Sequence, residues 1–257
     1  MIQMRRVWCL AAMALLCSVL TSGLARAAAT IPSWQTGQQL ITVVPAEWNA
    51  KSATLQRFEK RRFGWRRVGP AIPVQLGKNG SAWGIGLHRG DAGVPEKMEG
   101  DGKAPAGLFS IGFAFGADAT AETGLPYQPM DASDWCIDVP GSPYYNQIVD
   151  QNNVGAEAIK GSSEPMRRDL HLGDDLYRRG FLISHNLEGA DRRGSCIFAH
   201  RWRAPDRPTA GCTAMAASDL DAVLRWLDAT REPRFLLLPT PQYQALKRAW
   251  KLPRSLP

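Results

Sequence analysis

Cys212 stands in the segment Pro208-Thr209-Ala210-Gly211-Cys212-Thr213-Ala214-Met215, and His200 precedes it by twelve residues. A cysteine attacks carbonyl carbon as its thiolate, so a nucleophilic cysteine needs a base within reach. A strand ending at His200, a Pro-bearing loop over 201–208 and a return would set imidazole and sulfur side by side. Gly211 lets the chain turn tightly, so that amide N–H groups near the thiol point at one spot, as an oxyanion hole requires. Spacing alone favours the plainer explanation of a buried structural cysteine and a core or surface histidine, because a Cys and a His twelve residues apart are common.

The cysteine count shifts that balance. Residues 1–29 read as a secretory signal peptide: a basic start with Arg5 and Arg6, an apolar run from Val7 to Leu20, and small-x-small cleavage sites at 25–29. Its removal takes Cys9 and Cys17 and leaves Cys136, Cys196 and Cys212. In an oxidising compartment an odd count suggests one disulfide and one free thiol. Cys136 and Cys196 are the candidate pair. A free thiol kept in such a compartment needs a reason, and catalysis is the commonest. Beyond residue 29 the chain carries 28 basic and 24 acidic residues, a mild surplus that suits a carboxylate-rich surface such as a cell wall. An exported chain without a basic helix or aromatic-basic ladder excludes nucleic acid as the expected partner.

The elements that would position these groups are mostly strands. Residues 40–44 read as a strand and 53–58 as a half-buried one. Residues 72–77 and 82–87 read as a hairpin turning at Lys78-Asn79-Gly80. A loop at 100–107 leads to a strand at 108–113. Residues 117–180 are rich in Pro and polar residues and read as long loops with short helices, packed over the sheet as substrate walls. Strands follow at 181–185 and 196–200. Ser218 is expected to cap a helix whose apolar stripe is Leu220, Val223, Leu224 and Leu227. A buried strand at 235–238 and a short helix at 242–251 close the chain. No linker divides residues 30–257, so a single domain is expected, of mixed α+β class dominated by β-structure.

Two segments, Gly194-Ser195-Cys196-Ile197-Phe198-Ala199-His200 and Thr209-Ala210-Gly211-Cys212-Thr213-Ala214-Met215, resemble the active-site signature of L,D-transpeptidases with a YkuD-type catalytic domain. Gly102-Lys103-Ala104-Pro105-Ala106-Gly107-Leu108-Phe109 resembles that family's T-P-x-G-x-F loop, and Asp138 to Asn146 is similar to a segment of a proteobacterial branch. The looser similarity spans roughly 38–250. The resemblance implies a β-sandwich with a helix after the nucleophile and long loops forming the cleft. It implies Cys212 as the acyl-accepting thiol, His200 as base, the backbone carbonyl of Arg201 as the group that fixes the imidazole, and Gly211 with the Cys212 amide as the oxyanion site. The implied function is cross-linking or remodelling of peptidoglycan stem peptides in the periplasm without a cofactor, by a monomer with no stable membrane insertion.

This chain departs from the family pattern at two neighbours of the thiol. Ala210 stands where many members have histidine, and Ala214 where many have Arg or Asn. The His-to-Cys gap is also shorter than in much of the family. Loop arginines, Arg201, Arg203 and Arg207, are candidates to replace the missing cation, with solvated side chains as the plainer alternative. His185, Tyr145 and Trp202 are further candidates for the substrate wall. The Cys and His spacings fit no short pair of zinc ligands, so no metal is expected. Two other readings use the same residues: an L,D-carboxypeptidase or hydrolase, in which water replaces the acceptor amine, and a cell-wall-binding module with a decayed site.

Overall fold

The computed structural model describes residues 31, 33–88 and 94–254. The segment read as an export signal lies outside the described residues. The strands are β1 (Gln39–Val44), β2 (Ser52–Arg61), β3 (Gly64–Gln75), β4 (Ser81–Trp83), β5 (Ala104–Gly116), β6 (Tyr127–Pro129), β7 (Asp134–Cys136), β8 (Ile148–Asp150), β9 (Glu164–Pro165), β10 (Arg179–Ile183), β11 (Phe198–Arg201), β12 (Thr213–Met215) and β13 (Arg234–Leu237). The helices are α1 (Gln151–Val154), α2 (Arg168–His171), α3 (Ala217–Trp226) and α4 (Thr240–Leu246).

The fold is β-dominated and built on one large mixed sheet, in the order β10-β11-β12-β3-β2-β1-β13-β5-β4, with β6 beside β5. β5 pairs with β13 through Gly107 to Ser110 and with β10 through Ile111 to Gly116, so the sheet closes on itself. The curl brings opposite walls face to face across a core, which is how one sheet supplies the two packed layers expected from the sequence. Leu40, Phe58, Phe109 and Phe235 of the strands share that core with Leu220, Val223 and Leu224 of α3 and with Trp250. Each such side chain contributes roughly 1.5–3 kcal/mol through burial.

Local expectations are modified where tertiary contacts intervene. Residues 55–59 of β2 are buried throughout rather than on alternate positions. The second face is covered by α3, where Arg57 donates to the Ala222 carbonyl at 2.8 Å and Glu59 meets Trp226 and Arg231. The turn at 78–80 forms, with Gly80 at φ +82° and a bridge between Gly77 and Gly80, but no hairpin follows it. β3 pairs back onto β2, whereas β4 leaves to pair in parallel with β5. Ser218 lies inside α3 instead of capping it. Ala216 is the one residue between β12 and the helix and takes the N-cap position, where its methyl group has no oxygen to accept from the first turn.

Residues 117–178 form an insert between β5 and β10. It holds the short helices α1 and α2, as its composition suggested, together with a three-stranded sheet, β8-β7-β9, that two- and three-residue strands leave no periodicity to reveal. A second apolar cluster lies beneath it: Phe115, Phe198 and Cys212 from the sheet, with Met130, Met166 and Tyr177 from the insert. The insert is tied down by a disulfide between Cys136 at the end of β7 and Cys196 just before β11. Cys212 is the free cysteine among the described residues.

Candidate active site

β11 and β12 lie side by side in parallel, with Ala199 opposite Thr213 and His200 opposite Ala214. Side chains alternate along a strand, so Phe198 and His200 share a face with Cys212 and Ala214. The Phe198 N–H donates to Cys212 Sγ at 3.3 Å, which fixes the sulfur two residues before the imidazole on that face. The thiol itself donates to the carbonyl of Cys196 at 3.4 Å, so the residue that anchors the disulfide also orients the sulfur.

His200 Nδ1–H donates to the Arg201 carbonyl at 2.7 Å. That bond selects the tautomer whose Nε2 carries the free lone pair. Burial lowers the His200 pKa to about 4 and pushes the Cys212 thiol up to about 12. The resting pair is therefore a neutral imidazole and a neutral thiol, in place of the thiolate and base that a preformed ion pair would present.

Gly211 serves the site in a different way from the one expected. Its backbone is outside the left-handed region, and its N–H donates to Thr209 Oγ1 at 3.1 Å, so it offers no free donor to an oxyanion. The missing side chain is what matters. A Cβ there would lie 3.0 Å from the Lys103 carbonyl. The turn carrying the thiol thus packs directly on the 102–109 segment, which the sequence had set apart as a distinct motif.

Tyr177 was not anticipated. Its ring stands edge-on to His200 at 5.1 Å between centroids and to Phe198 at 5.4 Å. Its hydroxyl donates to Glu164 at 2.8 Å, and its ring shares the buried apolar cluster that holds Cys212. Arg168 stacks over the same ring, 5.1 Å from its centroid, and forms a fork with Asp174 at 2.8 Å for each bond. Burial raises the Glu164 pKa, and desolvation holds the Tyr177 hydroxyl protonated. These residues sit in an aperiodic, polar stretch, so neither spacing nor alternation marks them.

The other expected wall residues divide into two groups. Arg201 and Arg203 border the site and engage acids of the insert: Arg201 pairs with Asp175, and Arg203 with Asp174 at 3.0 Å. Trp202 is half-buried beside them, its backbone N–H donating to the Met215 carbonyl. His185 and Tyr145 do not line an open cleft. His185 is 2% exposed, accepts at Nδ1 from the Ile85 N–H (3.1 Å) and donates from Nε2 to the Arg193 carbonyl (2.8 Å). Tyr145 is 3% exposed and its hydroxyl is held by Glu99 and the Gly194 N–H. Both are pins beneath the 186–195 loop with no polar atom left for a substrate.

Asn146, in the 138–146 motif, is a third pin. It holds φ +63°, donates to the carbonyls of His185 (3.0 Å) and Asn186 (2.7 Å), and accepts from the Cys196 N–H (2.8 Å). Three bonds at about 1 kcal/mol each, plus about 1 kcal/mol for a left-handed conformation that alanine tolerates poorly, set the expected loss in Asn146→Ala at about 4 kcal/mol. Urea unfolding checks this, with a shifted midpoint and an unchanged slope as the expected result.

Among the described residues, no three His, Cys, Asp or Glu side chains converge as metal ligands would. No family model, no curated protein and no solved structure matches the chain.

Proposed function

We propose that this chain is a cysteine peptidyltransferase of the L,D-transpeptidase type, with a YkuD-like catalytic fold, acting on peptidoglycan stem peptides in the periplasm. The observation that carries this reading is the parallel β11–β12 pair, which delivers Cys212 and His200 to one face with the imidazole fixed by the Arg201 carbonyl. Such an arrangement suits acyl transfer through a thioester. As Sγ attacks the carbonyl carbon of the L–D peptide bond, Nε2 of His200 takes the thiol proton. The C–N bond breaks, and the imidazolium gives that proton to the departing amine of the terminal D-residue. An amine of a neighbouring stem then attacks the thioester, passes a proton to His200 and restores the thiol.

The neutral resting pair bears on how the reaction starts. At pH 7 a thiol with a pKa of about 12 is almost wholly protonated. Proton transfer to His200 must therefore accompany carbon–sulfur bond formation rather than precede it. A cell-wall-binding module is the second reading, and the burial of Cys212 at 8% exposure favours it.

The test is incubation with disaccharide-tetrapeptide fragments followed by mass analysis of protein and products. Transpeptidation predicts an adduct on Cys212 lacking the terminal D-residue, and cross-linked dimers. A trimmed stem without dimers would assign the hydrolase instead. Binding with no adduct would assign the module. Cys212→Ala is expected to lose adduct and product by at least about a thousandfold. An adduct that persists in that variant would sink the assignment of the nucleophile.

A further inference from the structure

The β2–β3 hairpin carries a charge pattern that the candidate site does not use. Residues 60–67 read Lys-Arg-Arg-Phe-Gly-Trp-Arg-Arg, five cations in eight positions. β1 begins at Gln39, opposite Glu59, so the tip at 61–64 projects past its neighbour. Phe63 stands at that tip with 91% of its surface exposed, and the Arg62 guanidinium lies 5.1 Å from its ring centroid.

The C-terminal segment adds to the same end. Trp65 donates to the Lys251 carbonyl at 2.8 Å, holding that segment against the hairpin. A groove of about 860 Å³ runs between them. Lys247, Arg248, Lys251 and Arg254 line it opposite Lys60 and Arg67, and no carboxylate does so among the described residues. The acid nearest the hairpin, Glu59, is buried and bridged by Arg61, Arg66 and Arg231. This end thus gathers nine cations and one carboxylate from the hairpin and the C-terminal segment. The rest of the chain beyond residue 29 carries 19 cations and 23 carboxylates. Positive charge is thus concentrated at the hairpin end, against a net acidic remainder.

From these features we infer that the hairpin end docks onto an anionic phospholipid surface. Cations alone would suit any polyanion. A phenylalanine exposed to water among arginines suits a lipid interface, where the ring enters the headgroup boundary while the guanidinium groups reach up to phosphates. Each cation near such a surface is worth about 1 kcal/mol, and burying a Phe roughly 1.5–3 kcal/mol. Trp34 packs edge-on against Trp65 at 4.9 Å, adding a second indole to this end. No helix among the described residues is long and apolar enough to cross a membrane, and docking of this kind needs none. β3 runs from the hairpin to Gln75, which pairs with Ala214. At about 3.3 Å per residue, docking would hold Cys212 up to about 35 Å above the lipid.

The test uses the chain freed of residues 1–29, so that the apolar segment cannot supply the binding; every strand and helix described lies beyond it. It is sedimented with vesicles of phosphatidylcholine containing 30 mol% phosphatidylglycerol, with pure phosphatidylcholine vesicles, and in parallel with soluble polyphosphate. The expected result is binding to the anionic vesicles at least tenfold tighter than to neutral ones, lost in 0.5 M salt. Phe63→Ser, at an exposed position, should weaken it about tenfold, and Arg62→Glu with Arg248→Glu should abolish it. Circular dichroism and adduct formation with soluble stem peptide should stay unchanged in both variants. Equal binding to polyphosphate without dependence on Phe63 would overturn the proposal in favour of a polymer site. Absence of binding to either would overturn it outright.

Discussion

Between pH 7 and pH 4 the folded protein is expected to lose about 6 kcal/mol of stability through two histidines. His185 and His200 are both buried, and burial lowers each pKa from the usual 6.5 to about 4. The unfolded chain therefore takes up protons at a higher pH than the folded one. The stabilisation is present in full above 6.5 and disappears as the pH falls through 4. A shift of about 2.5 units corresponds to about 3 kcal/mol for each histidine. Domains of this size are stable by about 5–15 kcal/mol, so mild acid should unfold much of the population. Urea titrations at half-unit intervals of pH measure the effect. His185→Gln, which keeps an acceptor and a donor at the pin, should halve the slope between pH 6.5 and 4. A flat profile over that range would show that the imidazoles reach solvent and protonate in place.

Removing the Cys136–Cys196 disulfide is expected to cost about 4 kcal/mol and to open the site. The two residues are 60 positions apart, and closing a loop of that length restricts the unfolded chain by about that amount. The local consequence is more telling. Cys196 supplies the carbonyl that receives the Cys212 thiol, and Cys136 ends the central strand of the sheet covering it. In Cys136→Ser with Cys196→Ser, the insert is held by Arg201–Asp175, Arg203–Asp174 and packing alone. Iodoacetamide should alkylate Cys212 slowly in the intact protein and at least about tenfold faster in the double variant, since burial is the first cause of the raised thiol pKa. Mass analysis of timed samples reads this directly. Equal rates would show that packing by itself holds the insert closed.

How much of this was legible in the sequence depended on how local the signal is. The strands at 40–44, 181–185, 196–200 and 235–238 carry continuous or alternating apolar runs, and all reappear within a few residues of their expected bounds. The disulfide followed from counting thiols. The Cys212–His200 face needed two strands of three and four residues to be adjacent and parallel, which spacing permits but does not select. Tyr177, Glu164 and Arg168 stayed hidden because they approach the sulfur from the insert, where no period connects them to it. His185 and Tyr145 were mistaken for wall residues because type and neighbourhood cannot distinguish a polar group facing a cleft from one consumed by backbone partners. The turn at 78–80 is a case of correct local chemistry overridden by a distant strand.

The insert leaves β5 and enters β10 at a single rung, and between those ends it meets the sheet through β6 beside β5 and the Gly124–Asp228 bridge. Gly116 pairs with Arg179, and the Ala117 N–H meets the Arg178 carbonyl at 3.1 Å. Apart from β6, the sixty-two residues between are thus a graft on a closed barrel rather than a part of its frame. A lineage could lengthen, shorten or exchange that cassette without altering any pairing between β5 and β10, so long as a cysteine came to rest beside Cys196. Selectivity at the thiol could then change on a different schedule from the chemistry below it, with one segment free to vary while β11 and β12 stay fixed.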